Sequence, residues 1–133
     1  MRRTISTDEA PAAVGAYSQG TTTGDLVFTE GQIALTPEGD FLSESSVAVQ
    51  TEQALDNVLA VLDAAGAGTD DVLKVTVFLA DIDDFDEMNE TYATYFRHDP
   101  PARSAVEVGA LPKGAAVEIE AVAVVPNAGA DDE

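Results

Sequence analysis

Few residues in this chain have chemistry to offer. Among 133 residues, 25 are acidic and 6 basic. One of the six, Arg103, stands in the stretch "PPARSAVEV", and Glu118 and Glu120 stand in "AAVEIEAVAVV". Both stretches alternate in the manner of a strand. A guanidinium can hold a carboxylate or a phosphate through two parallel charge-assisted hydrogen bonds. A carboxylate beside it can orient a water and accept its proton. Plainer readings stand next to these: Arg103 as an ion-pair partner of Glu107, Glu118 or Glu120 across a subunit interface, and the glutamates as a solvated face. Lys113, in a Pro-Lys-Gly loop, reads as a surface charge. His98, the sole histidine, follows a helix and suits its negative C-terminal end better than the task of a general base. Asp81, Asp83, Asp84 and Asp86 straddle a helix start without the spacing of a calcium loop, so no metal site is expected. The absence of cysteine excludes thiol catalysis and disulfides. No phosphate loop, dinucleotide fingerprint or nucleophile elbow is present.

The elements that must position these groups follow from periodicity. Residues 1–7 alternate weakly and predict a short edge strand, and "DEAPAAVGAYSQG" reads as a loop. "DLVFTEGQIAL" predicts a strand with Leu26, Val27, Phe28 and Ile33 in its core, interrupted at Gly31 by a bulge or by the close approach of a ligand or another backbone, the bulge being favoured. "SESSVAVQTEQALDNVLAVLDAAG" predicts a helix capped by Ser43, Ser45 or Ser46, striped by Ala54, Leu55, Val58, Val61, Leu62 and Ala65, and ended by Gly66. "DVLKVTVFLAD" predicts a strand with Leu73, Val75, Val77 and Leu79 on one side. "DFDEMNETYATYFR" predicts a second helix, started by Asp83 or Asp84 and striped by Phe85, Met88, Tyr92 and Tyr95 or Phe96. Pro100 and Pro101 end anything helical. Two strands then flank "GALPKG". The expected fold is α+β, a mixed sheet with both helices on one face. One domain over 1–126 suffices, followed by a polar tail over 127–133 expected to be disordered.

Side chains alternate across a strand, so parity divides each terminal strand into two faces. Val117, Ile119, Ala121 and Ala123 form a smooth apolar set assigned to the helix side. That leaves Glu118, Glu120, Val122 and Val124 opposite. Arg103, with Ala105 and Glu107, is assigned to the same helix-free face as Glu118. Valines on that face need a cover that so small a domain lacks, which predicts a homo-oligomer.

A formal net charge of −19 disfavours nucleic acid as a partner, because such binding draws on Lys and Arg against phosphate. Spread-out carboxylates with two lysines suit a cytosol full of salt, where screening removes self-repulsion. A halophilic source is therefore expected. The opening "MRRTISTDEAP" has no apolar run behind its arginines, and no 18-residue apolar stretch occurs. These features predict a soluble, cytoplasmic protein without a membrane partner.

Taken in order, "APAAVGAYSQG", "VFTEGQIAL", "QTEQALDNVLAVLDAAGAG", "VLKVTVFLADIDDFDEMNETYATYF" and "PPARSAVEVGALPKGAAVEIEAVA" closely resemble the RidA (reactive intermediate deaminase, YjgF-type) family over about residues 4–125. The resemblance implies a chorismate-mutase-like fold and a homotrimer with clefts between subunits. It implies cofactor-free hydrolysis of 2-enamine and 2-imine acids, such as 2-aminoacrylate, to 2-keto acids and ammonia. By the same resemblance Arg103 binds the substrate carboxylate, Glu118 positions the water, and Tyr17 contributes its hydroxyl. The backbone amide of Ala105 and the region of Gly31 complete the pocket, Asn89 is a further binding candidate, and Glu120 is structural. Two departures stand out: Glu30 where many relatives have a small polar residue, and Ala105 where many have cysteine. An acid near the pocket would oppose an anionic substrate, so Glu30 is expected to face solvent or Lys74. A trimer that binds metabolites or proteins without catalysis is the alternative, and ribonuclease activity, also proposed in the family, is disfavoured by the charge. On the halophilic reading, the protein should unfold at a higher temperature in molar KCl than in dilute buffer; equal stability in both would overturn it.

Overall fold

Alternate residues of one strand, Val117, Ile119, Ala121 and Ala123, are at most 3% exposed, and the sheet is organised around them. The computed structural model describes residues 1–126, so the expected tail at 127–133 lies outside the described residues. The elements are β1 (Arg3–Ile5), β2 (Gly20–Thr22), β3 (Leu26–Thr29), α1 (Val47–Ala64), β4 (Val72–Leu79), α2 (Phe85–Tyr95), β5 (Ala102–Glu107) and β6 (Val117–Val124). They form a six-stranded sheet in the order β1-β2-β3-β6-β4-β5. All neighbours are antiparallel except β4 and β5. The chain therefore crosses over twice through a helix, from β3 to β4 by α1 and from β4 to β5 by α2. Both helices pack on one face, as expected of a mixed α+β sheet.

Each helix has a local cause. The Ser46 hydroxyl accepts a hydrogen bond from the Val49 amide at 3.2 Å and caps α1. The Glu87 carboxylate of α2 accepts another from the Ala48 amide at 3.0 Å, tying the helices together. Ala54, Leu55, Val58, Val61 and Leu62 are buried in one stripe, and Gly66, at φ +91°, turns the chain out of the helix. In α2, Asp86 and Glu87 occupy the first turn, where the helix dipole favours acids, and Met88 and Tyr92 are buried against the sheet. Truncating a side chain as enclosed as Leu62 would cost about 2–5 kcal/mol.

Three sequence expectations are corrected. A bulge between Val72 and Lys74 shifts the register at the start of β4. Val72 is consequently buried and Leu73 half exposed, while Val75, Val77 and Leu79 keep the predicted side. In β3 only Val27 is enclosed. Phe28 is 45% exposed, because it and Leu26 pair with Val122 and Val124 on the helix-free face. The segment "GTT" before it is a strand, β2, joined to β3 by a tight turn with Gly24 at φ +100°. Its Thr-rich sequence has no apolar alternation to reveal it.

Buried amides pin the loops to this frame. The Gln19 side chain donates to the Pro11 carbonyl at 2.8 Å and the Thr7 carbonyl at 3.0 Å, and accepts from the Thr7 amide. The Asn57 side chain, with no exposed surface, donates to the carbonyls of Leu35 at 2.7 Å and Ile33 at 3.2 Å. Because buried backbone groups would lose their partners, Gln19→Ala should cost about 2 kcal/mol in chemical unfolding and open residues 8–18 to proteolysis. An unchanged midpoint and cleavage pattern would contradict this role.

Candidate active site

On the helix-free face, a cleft of about 570 Å³ is lined by Tyr17, Glu30, Gly31, Gln32, Lys113 and Glu118, among others. Glu118 reaches it because β6 alternates: its neighbours Val117 and Ile119 face the core, and Glu118 itself stands opposite Phe78 of β4. The segment after β3 forms the facing wall. Gln32 exchanges backbone hydrogen bonds with Ile119 at 2.8 and 2.9 Å, which lays residues 30–32 against residues 118–120. Gly31 is needed at that crossing. A Cβ there would lie 2.8 Å from the Glu118 carboxyl carbon and closer still to one of its oxygens. The bulge favoured from the sequence is not found at Gly31, which lies beyond the end of β3; what approaches it closely is the Glu118 side chain. Tyr17 lies in the loop held by Gln19, and its hydroxyl accepts a hydrogen bond from the Val14 amide at 3.0 Å. Lys113, read from sequence as a surface charge, lines the same cleft, in a turn where it adopts φ 57°.

Arg103 lies elsewhere. Register pairs Arg103 with Val75 and Ala105 with Val77, so both side chains are on the helix side of β5. There the guanidinium carbon lies 4.6 Å from the centroid of the Tyr92 ring and 5.3 Å from that of Phe85, within cation–π range. Nη1 donates to Asn89 Oδ1 at 2.7 Å. The assignment of Arg103 and Glu118 to one face is therefore overturned: within one protomer they stand on opposite sides of the sheet. Parity within β5 was read as it is. Its two faces are both mixed in polarity, however, and only the parallel pairing with β4 decides which one α2 covers. Phe85 and Tyr92, taken from sequence as a core stripe, hold the arginine. An aromatic at i and i+7 with Asn at i+4 on one helix face was the available signal.

The cleft is electrostatically unusual. Burial, reinforced by the charge of Glu118 and opposed by a hydrogen bond from Gln32 Nε2 at 2.9 Å, pushes Glu30 up to about 7. Glu118 is also raised, chiefly by burial and then by Glu120. The expectation that Glu30 faces solvent or Lys74 is overturned, for Lys74 instead donates to the Ser104 hydroxyl at 3.1 Å. Burial lifts the Tyr92 hydroxyl to about 12, and that oxygen has no hydrogen-bond partner among the described residues. Among the described residues no helix is long and apolar enough to cross a membrane.

The sequence model of the family described as endoribonuclease L-PSP, the YjgF/RidA family, matches residues 7–125. The chain belongs to the RidA family. A RidA relative from Rattus norvegicus, named 2-iminobutanoate/2-iminopropanoate deaminase, is 48% identical over 93% of this chain and 90% of its own. A relative of the same name from Escherichia coli K12 is 46% identical over 93% of this chain and 98% of its own. The crystal structure of Escherichia coli TdcF with bound serine superposes with a TM-score of 0.86 at 43% identity, covering 92% of this chain and 98% of that one. Within this RidA chain the Gly31 crossing is directly testable. The carboxylate is the mobile end of a side chain, so Gly31→Ala should change stability by no more than about 1 kcal/mol while expelling Glu118 from the cleft. Carboxyl ¹³C NMR should then show Glu30 titrating lower than in the wild type; an unmoved Glu30 would refute the crossing.

Proposed function

We propose that this protein hydrolyses 2-enamine and 2-imine acids, such as 2-aminoacrylate, to 2-keto acids and ammonia, in a site assembled from two copies of the chain. The relatives named 2-iminobutanoate/2-iminopropanoate deaminase support RidA-type deamination. The observation that carries the two-copy site is the separation of Arg103 and Glu118 by the thickness of the sheet. A three-carbon acid is too short to touch both within one protomer. The helix-free face also displays Phe28, Val106 and Val124, each more than a third exposed, together with half-buried Leu26 and Val122. Covering them favours self-association, with the homotrimer as the expected form.

In this reading Arg103 of one copy presents its guanidinium to the substrate carboxylate. The ring faces of Tyr92 and Phe85 and the Asn89 amide hold it in place, and one bond to Asn89 leaves most of its five N–H donors free. Asn89 is thus a positioning residue for Arg103. Ala105 lies two residues along the same face of β5, near enough for its backbone to line the carboxylate end. The neighbouring copy supplies the cleft. There Glu118 orients a water toward C2 and takes its proton, Gly31 leaves room for that carboxylate, and the Tyr17 hydroxyl borders the substrate. No step requires a cofactor. TdcF holds serine, an amino acid whose carboxylate adjoins a nitrogen-bearing carbon, as it does in the imine acids. A charge of −19 opposes RNA as the substrate.

Keto-acid release from 2-aminoacrylate generated in situ, in molar KCl, tests the proposal. Arg103→Ala and Glu118→Gln should each slow the reaction about 100-fold. Unfolded together and refolded in equal amounts, the two variants should recover about a quarter of wild-type activity, since that share of randomly formed interfaces joins an intact arginine to an intact glutamate. No acceleration by the wild-type oligomer would overturn the deaminase. A monomer by light scattering, or the absence of complementation, would overturn the shared site.

A further inference from the structure

Two acids of the cleft, Glu30 and the exposed Glu38, are left without a task by this mechanism, and Glu30 is the one held in place. Glu30 lines the same space as Glu118, and its side chain is fixed there by Gln32, which is 3% exposed and locked by its backbone pairing with Ile119. The Gln32 amide occupies Glu30 Oε2, and Oε1 has no protein partner among the described residues. The groups that share the cleft with Glu30 are Glu118 of β6, Lys113 of the 112–114 turn, Tyr17 and Glu38. Glu120, next along β6, acts on Glu118. Two carboxyls in one half-buried cleft resist ionising together, which divides them into an acid and a base.

Building on the deaminase reading above, we infer that Glu30 is a second catalytic group, whose carboxyl proton passes to the imine nitrogen as Glu118 takes a proton from the attacking water. The water oxygen bonds to C2, the C=N bond becomes C–N, and the nitrogen gains the Glu30 proton, giving a carbinolamine between a Glu30 carboxylate and a protonated Glu118. In the second half, the carbinolamine hydroxyl returns its proton to Glu30 while Glu118 protonates the nitrogen. The C–N bond breaks, ammonia leaves, and the C=O bond of the keto acid forms. Both carboxyls end as they began, and one water is consumed for each ammonia released. A neutral Glu30 also meets the objection that an acid in this cleft would repel an anionic substrate. Burial, which pushes Glu30 up to about 7, favours that neutral form.

The test is the pH dependence of kcat/KM from pH 5 to 9 in constant molar KCl, for the wild type, Glu30→Gln and Glu30→Asp. Wild-type activity should fall as pH rises through about 7, where Glu30 loses its proton. Glu30→Gln should be about 100-fold slower at pH 6 and lack that alkaline limb, and Glu30→Asp should restore part of the rate together with the limb. Carboxyl ¹³C NMR of the unliganded protein gives a readout free of activity: Glu30 should titrate near neutrality, and lower in Glu118→Gln. A Glu30→Gln enzyme with the wild-type limb, or one slowed equally at every pH, would overturn the role of Glu30. So would a Glu30 that titrates as an ordinary glutamate. If Arg103→Ala and Glu118→Gln also react as the wild type does, the deaminase reading itself has failed; if they are slow while Glu30→Gln is not, the assignment to Glu30 alone has.

Discussion

Strand β6 serves two masters with alternate residues, and the rest of the molecule is arranged around that division. Val117, Ile119, Ala121 and Ala123 close the core under the helices, while Glu118 and Glu120 project from the opposite face. A pleated strand has no freedom to move one set without the other. Burying the first set therefore fixes the height and direction of the second. Glu118 sits on a central strand of the sheet, and loop segments such as the one carrying Tyr17 are brought to it. Each of those segments is anchored by its own buried amide.

The same geometry separates the two charged groups proposed for the chemistry. Arg103 is on the edge strand, under α2, with its guanidinium over the rings of Tyr92 and Phe85; Glu118 is one strand inward of β4, on the far face. Aromatic quadrupoles stabilise a cation at little desolvation cost, and burial raises the two carboxyls of the cleft. On the two-copy reading, the substrate carboxylate takes up the charge of the guanidinium where the two surfaces meet.

Much of this was legible in the residues. Both helices, the Ser46 cap and Gly66 stop of the first, strand β4 beyond its bulge and the inward set of β6 follow from the sequence, because each carries a long apolar pattern. An element without such a pattern was hidden, β2 being three residues of Gly and Thr; β3 was legible as a strand, but its core was overfilled, for Val27 alone is enclosed in it. The face of Arg103 was misread for a related reason. Parity sorts a strand into two sets but does not say which set meets a helix, and β5 offers Ala105 on one side and Val106 on the other. Glu30 was misplaced because its position depends on the pairing of Gln32 with Ile119, a contact between residues 87 positions apart in the sequence.

The restraints on the cleft are also of one chemical kind. Gln19 holds the Tyr17 loop and Asn57 holds the 33–35 segment through side-chain amides bonded to backbone carbonyls, and Gln32 holds the Glu30 wall through its backbone amide and carbonyl paired with Ile119. Mobile ions attenuate forces between charges and leave short neutral hydrogen bonds in a dry interior almost untouched. In a chain so rich in surface carboxylates, the architecture of the cleft is thereby uncoupled from ionic strength. On the halophilic reading, salt would govern whether the fold persists and the internal amides the shape that persists, so fluctuating osmotic conditions would alter the abundance of the folded protein while leaving the dimensions of its cleft the same.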